Sequence, residues 1–112
     1  MPKVYAPQIP SKYDVATKLW IPSINLDPAK LFGEIVPMLP PNANRLHINP
    51  LTTALREQMK DFTKDDYIIA VGDPSLIAVS SCIAATKTKG LLRLLKWDKI
   101  SSSYELIEVN IW

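Results

Sequence analysis

Six polar residues in two short stretches have the chemistry to hold a small anion. The first stretch, Pro40-Pro41-Asn42-Ala43-Asn44-Arg45-Leu46-His47-Ile48-Asn49, carries Asn42, Asn44, Arg45 and His47, the single histidine of the chain. The second, Gly72-Asp73-Pro74-Ser75, carries Asp73 and Ser75 where an apolar run gives way to a helical pattern. Arg45 offers a planar fork for phosphate or carboxylate, and a helix opening at Pro74 turns its positive dipole end outward. In open parallel sheets, ligands bind beyond the carboxyl ends of the strands. If the strands before these two stretches are neighbours, the loops face one crevice, and the six residues are the candidate site of a small-ligand or nucleotide-processing enzyme.

Each of these residues also has a structural reading. Asp73 is of the type and in the place of a helix N-cap, its carboxylate repels an incoming anion, and Pro74 removes a donor from the first turn. The junction therefore reads as a turn that closes a fold. Gly72 alone forms neither a G-x-G-x-x-G fingerprint nor a Walker loop, which disfavours dinucleotide and P-loop binding. His47 has no cysteine or second histidine at ligand spacing, so no metal is expected, and no motif calls for a cofactor. Ser80, Ser81 and Cys82 fall in mid-helix without a base nearby in sequence. Asp65-Asp66 reads as a solvated loop before a strand. No catalytic residue is assigned.

A further cluster, Arg93, Lys96, Trp97, Lys99 and Tyr104, interleaves basic and aromatic groups as binders of single-stranded nucleic acid do. Asp98, Glu105 and Glu108 interrupt it, and 13 basic against 11 acidic residues leave a formal charge of only +2. A nucleic-acid-binding module is thus a possible reading and not the favoured one.

The elements that must position these groups follow from periodicity. At 112 residues, 47% of them hydrophobic, the chain fits one domain, 1–112, with one core. The lone Cys82 has no internal disulfide partner. No signal-peptide pattern opens the chain and no apolar run approaches the ~20 residues of a membrane span, so a soluble, cytoplasmic protein without a membrane partner is expected. Pro2, Pro7, Pro10, Pro22 and Pro28 crowd the first thirty residues, which makes 1–33 an extended, proline-rich arm with one or two short strands. Asp27-Pro28 and Gly33 bracket one helical turn.

The core is expected over 34–112. Glu34 to Leu39 is a strand that Pro37 places at an edge. Asn49-Pro50 opens a helix to about Phe62, with an apolar stripe at Leu51, Leu55, Met59 and Phe62. Tyr67 to Val71 is apolar on both faces, as a central strand is. Asp73-Pro74 and Gly90 bound a second helix, whose small face, Ala78, Ser81, Cys82 and Ala85, is expected to pack on the sheet. Leu91 to Trp97 and Tyr104 to Ile111 form a C-terminal hairpin. This order predicts an α/β fold, a small Rossmann-like sheet in two or three layers, with α+β as the alternative.

The stretches KLWIPSINLDPAKLFGEIVPMLPP, RLHINPL, YIIAVGDPSLIA and KGLLRLLKWD followed by YELIEVNI resemble a family of small proteins encoded by tailed phages of marine bacteria. The resemblance runs along most of the chain and implies a viral origin and the host cytoplasm as the setting, with no activity or functional residue to transfer. From the residues themselves, the apolar arm and the surplus of apolar strand residues suggest a non-enzymatic accessory protein. It is expected to self-associate, most simply as a homodimer, and to bind a phage or host macromolecule. Leu19, Trp20, Trp97, Tyr104, Leu106 and Trp112 are the interface candidates.

Overall fold

The computed structural model describes residues 1–44 and 48–112. Its strands are β1 (Lys3–Gln8), β2 (Ser11–Asp14), β3 (Leu19–Pro22), β4 (Glu34–Leu39), β5 (Tyr67–Ile69), β6 (Leu91–Asp98) and β7 (Ser103–Asn110). Two helices, α1 (Ile48–Gln58) and α2 (Pro74–Lys87), and a 3-10 turn at Asp27–Leu31 complete it. The fold is α/β, with a five-stranded sheet in the order β4-β1-β5-β6-β7 and a separate β2-β3 ribbon. β4, β1, β5 and β6 run parallel, and β7 returns antiparallel along β6.

Alternation along the strands divides the core between the two faces of the sheet. Tyr5 and Ile68 face one way and pack with Leu55, Leu76 and Ala84 from the two helices and with Met59 and Phe62 from the turn that follows α1. Val4, Ala6, Ile69, Leu95 and Tyr104 face the other way, where Ala29 of the 3-10 turn, flanked by Leu26 and Phe32, covers them. The short turn shields less sheet than the helices do. Tyr67-Ile68-Ile69 is buried throughout and lies at the centre of the sheet, as its two-faced apolar run requires. Pro37 lies in β4, an edge strand.

The amino-terminal segment is not one arm. Lys3–Gln8 is an interior strand, with Val4 and Ala6 fully buried, so the core includes β1 and does not begin at residue 34. Val4-Tyr5-Ala6 is apolar on both faces, and that burial outweighs the proline signal at Pro7. Pro7 leaves its mark in the pairing: the β1–β5 ladder comprises only Val4 with Tyr67 and Tyr5 with Ile68, and ends before the residue that has no N–H to give. Beyond β1 the chain forms the β2-β3 ribbon, where Tyr13 and Trp20 stack edge to face at 5.4 Å.

The face of α2 also differs from expectation. Leu76, Ser80, Ala84 and Ala85 are its buried residues, while Ala78 and Cys82 are exposed. Ala78 and Cys82 line a surface cleft of about 640 Å³ beside Arg56 and Lys60. Apolar residues occur all round this helix, so periodicity alone did not select a face; the sheet and α1 did.

Candidate functional site

The carboxyl end of the sheet is built around Gln8. β4 and β5 are not neighbours, since β1 lies between them, but both of the loops that follow them reach the end of β1. On one side the Gln8 side chain, only 5% exposed, donates from Nε2 to the carbonyls of Pro40 at 2.9 Å, Pro41 at 3.3 Å and Ala43 at 3.4 Å. On the other side Gly72 comes so near that a Cβ on it would lie 2.5 Å from the Gln8 carbonyl oxygen. Gly72 adopts a φ of 93°, a region open to glycine at little cost.

Of the six ligand-site candidates, Arg45 and His47 lie outside the described residues. Asn42 and Asn44 are exposed in the loop that Gln8 holds. Asp73 caps α2 with extended backbone, φ −68° and ψ 130°, and its carboxylate accepts from the Ser75 amide at 3.0 Å. The Asp73 carbonyl also accepts from Leu76 and Ile77, at 3.1 Å each. Sequence reasoning missed Gln8, for which the only sign was one polar residue closing an apolar strand. The Gln8 amide and the Asp73 carboxylate are both engaged in holding the fold.

If Asp73 serves only as a cap, Asn or Ser in its place keeps an acceptor, and thermal stability changes little. Ala is expected to cost about 0.5–2 kcal/mol. Thermal denaturation of the three variants, alongside their self-association, checks this. A stable Asp73→Asn variant that no longer associates would show the charge itself at work.

At the opposite end of the strands, Asp66 is 6% exposed and accepts from the Lys3 amide at 2.9 Å and the Thr63 amide at 2.8 Å. The expectation of a solvated loop holds for exposed Asp65 and fails for Asp66, which ties β1 to the approach into β5. Arg93 lies over the Tyr67 ring at 4.2 Å and donates from Nη2 to its hydroxyl at 2.9 Å. Its Nε faces Glu108 Oε2 at 3.3 Å. The Arg93 guanidinium is thereby committed within the protein, which weakens the basic-aromatic cluster as a nucleic-acid surface.

The interface candidates separate by burial. Leu19 is 62% exposed and Trp20 42%, both on the ribbon, while Trp97, Leu106 and Trp112 are exposed around the β6-β7 hairpin. Tyr104 is instead a core residue, 6% exposed, stacked on Trp97 at 5.0 Å, and its burial raises the phenol pKa. In the hairpin turn, the Ser101 hydroxyl and the Ile100 amide hold the Asp98 carboxyl below its ordinary range. Trp112 packs against Gly90, beside the bond from the Ile111 amide to the Gly90 carbonyl at 2.9 Å.

The fold defines a small α/β protein with a mostly parallel sheet that carries helices on one face and a short turn on the other. A family model described as phage Pam3 gp32-like protein matches residues 2–111, and the chain belongs to that family. No curated protein and no solved structure matches it. It is therefore a phage-family protein. Among the described residues, no helix is long and apolar enough to cross a membrane, and no group of histidine, cysteine or carboxylate side chains could hold a metal ion.

Proposed function

We propose that this phage protein is an accessory protein that acts by binding and not by catalysis. It associates with itself, most simply as a homodimer, and docks onto a further phage or host macromolecule in the host cytoplasm. The observation that carries this reading is the apolar surface left uncovered around a completed core: Leu19, Trp20, Trp97, Leu106 and Trp112 all remain substantially exposed. Exposed apolar patches of this kind mark interaction sites. The engagement of Gln8 and Asp73 supports the same reading, because both side chains already hold the protein's own backbone.

Light scattering across a concentration series tests the first half of the proposal. The expected mass is that of two chains at high concentration, falling towards one on dilution. A single-chain mass at the highest concentration would overturn it.

A further inference from the structure

The two edges of the main sheet are protected unequally. β4 carries Pro37, opposite Ala6, and a proline blunts an edge. β7, Ser-Tyr-Glu-Leu-Ile-Glu-Val-Asn, has no proline and no lysine, and pairs with β6 along its whole length, while among the described residues no strand lies on its other side. Its side chains are apolar on both faces: Leu106 is 39% exposed on one, Ile107 36% and Val109 39% on the other.

The register decides which backbone groups face outward. The Ile111 amide donates to the Gly90 carbonyl, so that pair is a hydrogen-bonded one, and hydrogen-bonded pairs alternate along an antiparallel ladder. Ser103, Glu105, Ile107 and Val109 therefore turn their N–H and C=O groups towards β6. Tyr104, Leu106, Glu108 and Asn110 turn theirs to the open edge.

We propose that β7 is the dimer contact, pairing antiparallel with β7 of a second copy about a two-fold axis at Ile107, so that two five-stranded sheets become one. This rests on the self-association proposed above and gives it a surface. A two-fold axis perpendicular to the sheet demands that opposed residues share a face. With the axis at Ile107, Tyr104 meets Asn110 and Leu106 meets Glu108, so every outward-facing residue finds a hydrogen-bonding mate. Axes at Glu105 or Glu108 would set like charges against each other, which is destabilising. An axis at Leu106 leaves Asn110 opposite Ser102 of the turn, beyond the end of β7. The two glutamates do not oppose the approach, because Glu108 pairs with Arg93 at 3.3 Å and Glu105 lies directly across from Lys96.

Cysteine crosslinking tests the axis. In a Cys82→Ser background, Ile107→Cys places two thiols in a non-hydrogen-bonded pair, with Cα atoms about 4.5 Å apart, within disulfide reach. Mild oxidation is expected to convert most of the full-length protein to a covalent dimer on a non-reducing gel. Val109→Cys in the same background is expected to stay monomeric on that gel, since its mate lies about 13 Å away along the strands. Leu106→Pro removes an outward donor and leaves the β6 ladder its own, so sedimentation should show a dimer weakened at least tenfold with unchanged circular dichroism. If Leu106→Pro fails to fold, the crosslinking pair decides the matter. A dimer that persists in Leu106→Pro, with no crosslink through residue 107, overturns edge pairing and leaves self-association standing. A protein that is monomeric at all concentrations overturns both.

Discussion

Replacing Gly72 by alanine is expected to lower thermal stability more than any conservative exchange on the surface. Two costs add at this position. The φ of 93° is a region that L residues rarely adopt, and holding alanine there costs about 1–3 kcal/mol. The new methyl would also lie 2.5 Å from the Gln8 carbonyl oxygen, a backbone atom at the end of an interior strand, and such overpacking costs about 1–3 kcal/mol more. For a domain of this size the melting temperature should fall by roughly 10 °C or more. The displacement of Gln8 should also free the loop that its side chain holds at Pro40, Pro41 and Ala43, which faster amide hydrogen exchange of the Ala43 region would report. An unchanged melting temperature would show that the β1 and β5 ends do not meet as described.

Asp66→Ala is expected to be comparably damaging, while the adjacent Asp65→Ala is expected to fall within about 0.5 kcal/mol of the parent. The contrast arises from burial and partners. Asp66 is 6% exposed and its carboxylate accepts from the amides of Lys3 and Thr63 and from the Thr63 hydroxyl at 3.2 Å. Each hydrogen bond to a charged acceptor contributes about 1.5–3 kcal/mol, and alanine leaves the part-buried Lys3 amide without its partner. A combined loss on the order of 3–6 kcal/mol follows from the two amide bonds. Asp66→Asn keeps one acceptor oxygen and turns an NH₂ towards the other donor, so it should fall between parent and alanine. Urea denaturation of the three variants checks the order. Equal stabilities for Asp65→Ala and Asp66→Ala would remove the tie between β1 and the loop before β5.

Local pattern and cap chemistry determined much of this chain without reference to its tertiary structure. Asp73 and Pro74 marked the start of α2, because an acceptor followed by a residue lacking an N–H suits the unsatisfied amides of a first turn. The unbroken apolar run at Tyr67 placed β5 at the centre, and Pro37 placed β4 at an edge. The C-terminal hairpin, β6 with β7, followed from two strand-like runs around a polar turn. The phage-family resemblance also came from the sequence, and the family match now carries it.

What only the tertiary structure decided concerns partners far apart in the chain. Lys3–Gln8 became an interior strand because β4 and β5 flank it, while Pro7 and the prolines flanking the strand, taken locally, spoke for an extended arm. The burial of Asp66 depends on an amide 63 residues away, and that of Gln8 on carbonyls more than 30 residues on. Cys82 faces a cleft and not the sheet, since a helix apolar all round takes its orientation from its neighbours. The open edge of β7 has the same origin: a strand's propensity resides in its own residues, but whether a neighbour satisfies its second row of N–H and C=O groups is set by the order of strands in the sheet.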